Sequence, residues 1–457
     1  QAGGMKRAMA QEKSDDKYSR QALIEGWDQR NMNAAVAVAG LGRAGFIVAD
    51  CMARAGVATL YLVDSADRAG AAKPAIEQVS GAKVYAVAAD SQYVRGCSAI
   101  VNALQDKNLE EILLRNAAVN KVPVISIRTN GMQGEVLEAG GQMPEARCLL
   151  PAAGGERLAS ESISASTMAA GLAAQEAYKI LQKGKIGAPA GHIYFSGSEN
   201  ILTFKPEEIE KYKAQQNGPG RTYSVSGLAA KSATIIGVGG LGTICARDLA
   251  QAGIGKLYLV DNDAVEESNL TRQVLFKKEH ISMAKTASAK KSLEEIAPNT
   301  EVIGVPMMLG AAKSFHPEIF RSDVVLDCLD NVNSRLQLSK FCRKFSVPLV
   351  SGGVHALAGQ LQHYNPKNPA SPCINCNPFI SEAKPLGDSC TKDIKTPIIN
   401  STTNLIAGMQ VQETLKILHG GGIGTPTERF FYFLGDKNTA LYVNIKRKQS
   451  CTACSAR

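Results

Sequence analysis

Ala233-Thr-Ile-Ile236 runs directly into Gly237-Val-Gly239-Gly240-Leu-Gly242, then into helix-forming sequence through Ala252, and Leu257-Tyr-Leu-Val-Asp261 comes next. An apolar β-branched run, a glycine-rich turn and a helix together open a nucleotide-binding α/β unit. The glycines permit the tight turn. They also let backbone N–H groups approach a phosphate at the positive end of the helix. Asp261 stands nineteen residues beyond Gly242, where a carboxylate accepts hydrogen bonds from ribose hydroxyls. Alone, this stretch says "nucleotide", and an NAD-dependent oxidoreductase is the usual alternative.

The pattern occurs twice. Ala34 to Asp64 contains Gly40-Leu-Gly-Arg-Ala-Gly45 and then Leu60-Tyr-Leu-Val-Asp64, at an offset of 197 from the later copy. Further on, Val122-Pro123 matches Val347-Pro348 and Gly134 matches Gly359 at an offset of 225. Ala170 to Leu181 mirrors Ala407 to Leu418 at 237. Such a repeat predicts an α/β fold of two tandem, doubly wound Rossmann-like domains, residues 5–220 and 221–457, forming an intrachain pseudo-dimer. The first jump, 28 residues, is expected just after the Asp64/Asp261 strand. It brings Asn269-Leu-Thr-Arg272-Gln273 and Lys285 into the second copy only. The second jump, 12 residues, falls where the later copy carries Cys373, Cys376 and Cys390. Loss of both polar segments from the first copy predicts a scaffolding half beside a catalytic half. Two active copies with diverged loops is the contrasting reading.

Length and composition bound the rest. The 457 residues fit two to three domains, and 45% hydrophobic against 20% charged residues can fill a core. No apolar run has the length of a membrane span, and Gln1-Ala-Gly-Gly-Met-Lys-Arg7 lacks a signal peptide's apolar stretch. Gln1 to Gly4 reads as a remnant ahead of a native Met5, or as a fused Gly-Gly tail from a substrate protein. The net charge of +9 is scattered apart from Lys446-Arg-Lys448, and no motif for nucleic acid accompanies it. A reduced cytoplasmic setting is expected for the eleven cysteines. Cys373-Ile-Asn-Cys376 and Cys451-Thr-Ala-Cys454 then read as a structural four-cysteine zinc site, because two such turns supply four thiolates.

The segment after the glycine-rich unit argues against NAD. Asp263, Asn269, Arg272, Gln273 and Lys285 form a polar, cationic set soon after Asp261. An ATP enzyme needs such cations to neutralise phosphate charge when the α-phosphorus is attacked. Val324-Val-Leu-Asp327-Cys-Leu-Asp330-Asn331, with Arg335 beyond, puts a carboxylate past a strand's end, beside a bound ligand. Asp330 is suited to hold Mg²⁺ there.

Gly-Val-Gly-Gly-Leu-Gly, Asp261-Asn-Asp263, Ser268-Asn-Leu-Thr-Arg-Gln273, Lys285 and the Asp330-Asn331…Arg335 run resemble the ubiquitin-activating enzymes and their ThiF, MoeB and HesA relatives, from about Tyr18 to Lys448. The resemblance implies ribose binding by Asp261, phosphate handling by Asn269, Arg272, Gln273 and Lys285, and Mg²⁺ at Asp330. The implied substrates are ATP and the C-terminal Gly-Gly carboxylate of a small ubiquitin-like or sulfur-carrier protein; the products are an acyl-adenylate and pyrophosphate. The first copy departs from the pattern, with Gln105 at the position of Asp330 and Ala66 at that of Asp263. It keeps Tyr18-Ser-Arg20-Gln21, and the resemblance implies that Arg20 reaches across to the other half's phosphates. Arg221 is the weaker candidate for that task. Cys390 would attack the adenylate to form a thioester, with Lys392 favouring its thiolate, or would take part in a sulfur relay. The first outcome calls for a conjugating enzyme. The alternative is a sulfur-carrier adenylyltransferase giving a thiocarboxylate. A homodimer is compatible with either.

Overall fold

The computed structural model describes residues 16–88, 93–139, 160–214, 227–308, 317–381, 396–420, 423–451 and 453–454. Cys390, Lys392, Arg221 and Gln1 to Gly4 lie outside the described residues.

Two eight-stranded sheets form. The first is built from β1 (Ala35–Ala39), β2 (Thr59–Val63), β3 (Lys83–Val87), β4 (Ala99–Asn102), β5 (Val124–Asn130), β6 (Gln133–Ala139), β7 (His192–Ser196) and β8 (Ile201–Thr203). The second is built from β9 (Ser232–Ile236), β10 (Lys256–Val260), β11 (Glu301–Val305), β12 (Val324–Asp327), β13 (Leu349–His355), β14 (Ala358–Tyr364), β15 (Phe430–Leu434) and β16 (Thr439–Val443). The order 3-2-1-4-5-6-7-8 of the first recurs as 11-10-9-12-13-14-15-16 in the second. Five strands of each run parallel and the last three antiparallel. Parallel strands covered on both faces explain the near-continuous apolar runs at β1 and β9. The arrangement fits tandem Rossmann-like units. Their switch points lie between β1 and β4 and between β9 and β12, where ligands bind at strand carboxyl ends.

The helices are α1 (Arg43–Ala55), α2 (Ala66–Glu77), α3 (Lys107–Asn120), α4 (Ser160–Leu181), α5 (Pro206–Ala214), α6 (Gly240–Gln251), α7 (Lys285–Ile296), α8 (Val332–Phe345), α9 (Pro378–Ser381) and α10 (Asn400–Leu418). Among the described residues, no helix is long and apolar enough to cross a membrane.

The two halves meet along α4 and α10. Both are nearly all buried, so their small residues serve close approach. A Cβ on Gly171 would lie 2.7 Å from Leu405 N, and one on Gly408 would lie 2.7 Å from Met168 Cγ. These glycines are equivalent in the repeat. Buried charge follows the same symmetry. Lys179 Nζ pairs with Glu176 at 2.8 Å and reaches Asn438 of the second half. Lys416 Nζ pairs with Glu413 at 2.5 Å and reaches Asn200 of the first half at 2.5 Å. Each glutamate's other oxygen accepts a backbone N–H, from Ala190 and Thr427 respectively. Every ion is thus both paired and hydrogen-bonded, the condition under which buried charge is tolerated.

One expectation needs adjustment. The inserted residues do not all come directly after the Asp261 strand. Lys83 and Glu301, which hold equivalent registers, are 218 apart. So 21 of the 28 extra residues precede β11, and 7 more lie between β11 and β12. The Tyr18-Ser-Arg20-Gln21 stretch is a 3-10 turn over Asp16–Tyr18 followed by turns.

Candidate functional site

A cavity of 740 Å³ opens at the switch point between β9 and β12. Its floor is the glycine-rich turn. Gly237 has φ of +92°, and a Cβ there would lie 2.7 Å from Cys328 O. A Cβ on Gly242 would lie 1.9 Å from Gly237 O, so only glycine lets α6 leave the strand this closely. Gly239 and Gly240 line the opening, at the start of α6.

Asp261 closes β10. Its Oδ2 accepts from Val238 N at 2.7 Å and its Oδ1 from Asp263 N at 2.8 Å. Burial raises its carboxyl above the ordinary carboxylate range, against the pull of Lys285 and these N–H groups. Lys285, the first residue of α7, pairs with Asp263 at 2.9 Å. Asn269 caps its own turn, accepting from Glu266 N at 3.2 Å. Arg272 is 5% exposed and donates to Ser268 O at 2.8 Å. Burial, then the neighbouring charge of Arg20, pulls its guanidinium down to about 10.

Arg20 comes from the first half and lines this cavity. Its backbone O accepts from Ile398 N at 3.4 Å, and Nη1 reaches Thr396 O at 3.5 Å. Among the described residues, Arg20 Nε and Gln273 Oε1 are buried without a hydrogen-bond partner. Buried polar atoms without partners are uncommon and call for a ligand or an ordered group.

Asp330 is exposed at the cavity's edge. Asn331 caps α8 by accepting from Ser334 N at 2.8 Å. Arg335 lines the cavity, with its guanidinium on Leu329 O and on Ser351 Oγ at 3.4 Å. Ser351 in turn donates to Asp327 at 2.6 Å, so Arg335 braces the turn that carries Asp330. The cavity thus gathers Arg20, Gly237, Gly239, Gly240, Asp261, Asp263, Asn269, Arg272, Gln273, Lys285, Asp330, Asn331 and Arg335, while Gly242 lies behind the lining, against Gly237 O. Sequence reasoning missed its apolar side: Met307, Met308, Phe379, Ile380 and Tyr432. Phe379, 59% exposed, stacks on Phe430 at 5.5 Å. No spacing announces these residues, because they arrive from separate segments.

The counterpart position in the first half is built differently. Asp64 accepts from Leu41 N at 2.6 Å, as Asp261 does from Val238. The Asp327, Arg335 and Gly353 positions, however, are held by Asn102, Glu110 and Arg128, and Arg128 forms an ion pair with Glu110.

Cys373, Cys376, Cys451 and Cys454 converge, all buried, with their sulfurs within 4.8 Å of one another. Sulfur–sulfur separations are 3.8 Å (373–376), 3.6 Å (373–451) and 3.4 Å (376–454). Four thiolates around a tetrahedral ion at about 2.3 Å would stand roughly 3.8 Å apart, so the set could hold such a metal. Burial pushes the Cys376 thiol up to about 11. Burial also opposes the Cys451 thiolate, yet the Cys454 and Ala453 N–H groups outweigh it and bring that thiol down to about 7. Cys245 is buried against α10, with Ala407 O and Gln410 Oε1 each 3.8 Å from its sulfur; Gln410 Oε1 also lies 3.9 Å from the sulfur of Cys328.

Residues 221–455 match the profile of the ThiF family. "Adenylyltransferase and sulfurtransferase MOCS3" of Drosophila virilis is 34% identical over 275 residues, 59% of this chain and 58% of that protein. "Adenylyltransferase and sulfurtransferase uba4" of Aspergillus niger is 33% identical over 273 residues, 57% of this chain and 55% of that protein. The chain therefore spans little more than half the length of these curated relatives. A crystal structure of E. coli MccB with succinimide aligns at a TM-score of 0.45 and 18% identity, over 72% of this chain and 97% of that one; so distant a likeness adds no argument. The family profile covers more than half of the 457 residues, and the chain belongs to the ThiF family.

Proposed function

We propose that residues 221–457 use ATP to adenylate the C-terminal glycine of a small ubiquitin-like sulfur carrier, with residues 5–220 as a non-catalytic scaffold. The observation that carries this reading is Arg20 Nε, a buried donor without a hydrogen-bond partner among the described residues, beside Arg272 in a cavity floored by a glycine-rich turn. Anionic phosphate oxygens match the cationic side, and the N–H groups at the start of α6 suit them equally.

In this reading Asp261 accepts from ribose, with Gly237, Gly239, Gly240 and Gly242 beneath the nucleotide. Asn269, Arg272, Gln273 and Lys285 hold the phosphates, with Asp263 orienting Lys285. Asn331 and Arg335 shape the wall that carries Asp330. Asp330 would hold Mg²⁺, which supplies charge neutralisation on the phosphates. Arg20 adds a cation from the other half, as arginine fingers do. A carrier glycinate oxygen attacks the α-phosphorus, and the bond from that phosphorus to the bridging oxygen breaks. Pyrophosphate leaves with the electron pair, and acyl-adenylate remains. Zn²⁺ would be held by Cys373, Cys376, Cys451 and Cys454, tying residues 451–454 to the 373–376 turn.

The next step is a sulfur transfer. Cys390, the candidate acceptor, takes the outer sulfur of a persulfide donor and frees the donor's thiolate. The Cys390 persulfide attacks the adenylate carbonyl and displaces AMP. The freed thiolate then attacks the Cys390 sulfur, so that the carrier leaves as a thiocarboxylate and a Cys390–donor disulfide remains for a thiol reductant. The relatives' description as adenylyltransferase and sulfurtransferase favours this over a second reading, a Cys390 thioester passed to a conjugating enzyme. ATP–pyrophosphate exchange dependent on a Gly-Gly carrier tests the adenylation; no exchange with any such carrier rejects it. Mass spectrometry of the carrier then separates a terminal thiocarboxylate from an enzyme-linked thioester.

A further inference from the structure

The first half contributes more to the cavity than Arg20. We propose that Arg54, on α1 of the first half, is a positioning residue that sets the shape of residues 268–274 and so aims Arg272 and Gln273. This inference rests on the nucleotide reading of the cavity.

Residues 268–274 are one short 3-10 turn and a non-helical exit, so their carbonyls find few partners within the segment. Side chains from elsewhere take them. Arg54 is 2% exposed and its Nε is held by both oxygens of Asp50, at 2.9 and 2.8 Å. Its Nη1 donates to Leu270 O at 2.6 Å and reaches Gln273 O at 3.5 Å, while Nη2 donates to Val274 O at 3.2 Å. Asn400 completes the clasp, donating to Thr271 O at 3.2 Å and to Cys51 O at 2.9 Å. Tyr178 Oη stands 2.7 Å from Asn400 Oδ1. A planar guanidinium with its back on Asp50 spans these carbonyls in one fixed geometry, which an ammonium cannot reproduce.

The repeat itself supplies a comparison. At the offset of 197, Arg54 corresponds to Gln251, which instead accepts from Arg43 Nη1 at 2.6 Å. Asp50 corresponds to Arg247. The first half has no counterpart of the Asn269-to-Gln273 segment for a second-half cation to hold. The Asp–Arg pair is therefore present only on the side that faces such a segment.

The test uses the full chain and its Arg54→Lys and Arg54→Gln variants. ATP-dependent pyrophosphate exchange is measured over ATP and carrier concentrations, with amide hydrogen exchange read across residues 268–274. Arg54→Lys is expected to raise KM for ATP about 10- to 100-fold, the scale of a misplacement near 1 Å, with KM for the carrier unchanged. Amides of 268–274 should exchange faster while those of α6 and α10 hold. Unchanged KM for ATP, with or without faster exchange of the segment, overturns the positioning role. If wild type itself neither binds nor uses ATP, the functional reading fails. The clasp is then judged on hydrogen exchange alone: a change confined to 268–274 supports it, and a uniform or absent change overturns it. Should Arg54→Gln not fold, Arg54→Lys still decides.

Discussion

Arg128, buried in the first half, stands where the cavity-lining Gly353 stands in the second. Arg128 and its partner Glu110 occupy register positions equivalent to Gly353 and Arg335. Gly353→Arg should therefore abolish ATP-driven exchange and also destabilise the chain, because it buries a cation beside Arg335, by about 3–5 kcal/mol on the scale of an unpaired buried charge. The double variant Arg335→Glu, Gly353→Arg rebuilds the first-half pair. Urea unfolding should recover most of the lost stability while exchange stays absent.

Arg20 reaches the cavity from the first half and carries an unpartnered Nε. Arg20→Ala should lower adenylate formation by about 100-fold or more, as loss of one preorganised donor does. Thermal unfolding should move little, since among the described residues the side chain's hydrogen bond is a long one, to Thr396 O. Single-turnover adenylation measured beside a melting curve checks both.

The four-cysteine cluster predicts one bound metal per chain. Cobalt substitution should give the absorption of a tetrahedral thiolate site, and Cys451→Ser should weaken or abolish it. Chelation should lower the melting temperature, because binding free energy at such a site is also folding free energy.

Lys416 and Lys179 lie wholly buried at the junction of the halves. Lys416→Met leaves Glu413 without its cation, and Asn200 of the first half without that donor. Loss of about 3–5 kcal/mol is expected, read as a shift in the urea midpoint. The Lys416→Met, Glu413→Gln pair should cost less than that single change, since no lone charge stays behind.

His363 supplies a pH dependence. Burial lowers its pKa, outweighing the nearby Glu413 carboxylate. A base depressed in the folded state stabilises while neutral. That contribution is present above the unfolded value, about 6.5, and is lost as pH falls through the lower folded value. Urea midpoints should fall on acidification below about 6.5, and His363→Gln should flatten that part of the curve.

Local sequence carried the nucleotide unit because its physics is local. A strand, a turn that only glycine can make and a helix start are neighbours in the chain, as are Asp261 and Asp263. The repeat was equally legible, since equal offsets survive wherever elements keep their length. Cys373, Cys376, Cys451 and Cys454 were readable as pairs, and the fold brings their sulfurs together.

Other features exist only once the halves dock. Nothing near Arg54 in sequence announces that it will hold Leu270 and Val274, because the partners are some 216 to 220 residues away. The apolar wall of Met307, Phe379 and Tyr432 is likewise assembled from separate segments. The difference is one of contact distance. Sequence by itself determined the repeated α/β unit, the glycine turn and the polar set that comes after it. Tertiary packing alone decided that Arg54 holds the 268–274 segment and which apolar residues wall the cavity, because a side chain's partner across an interface is set by geometry that chain order does not encode.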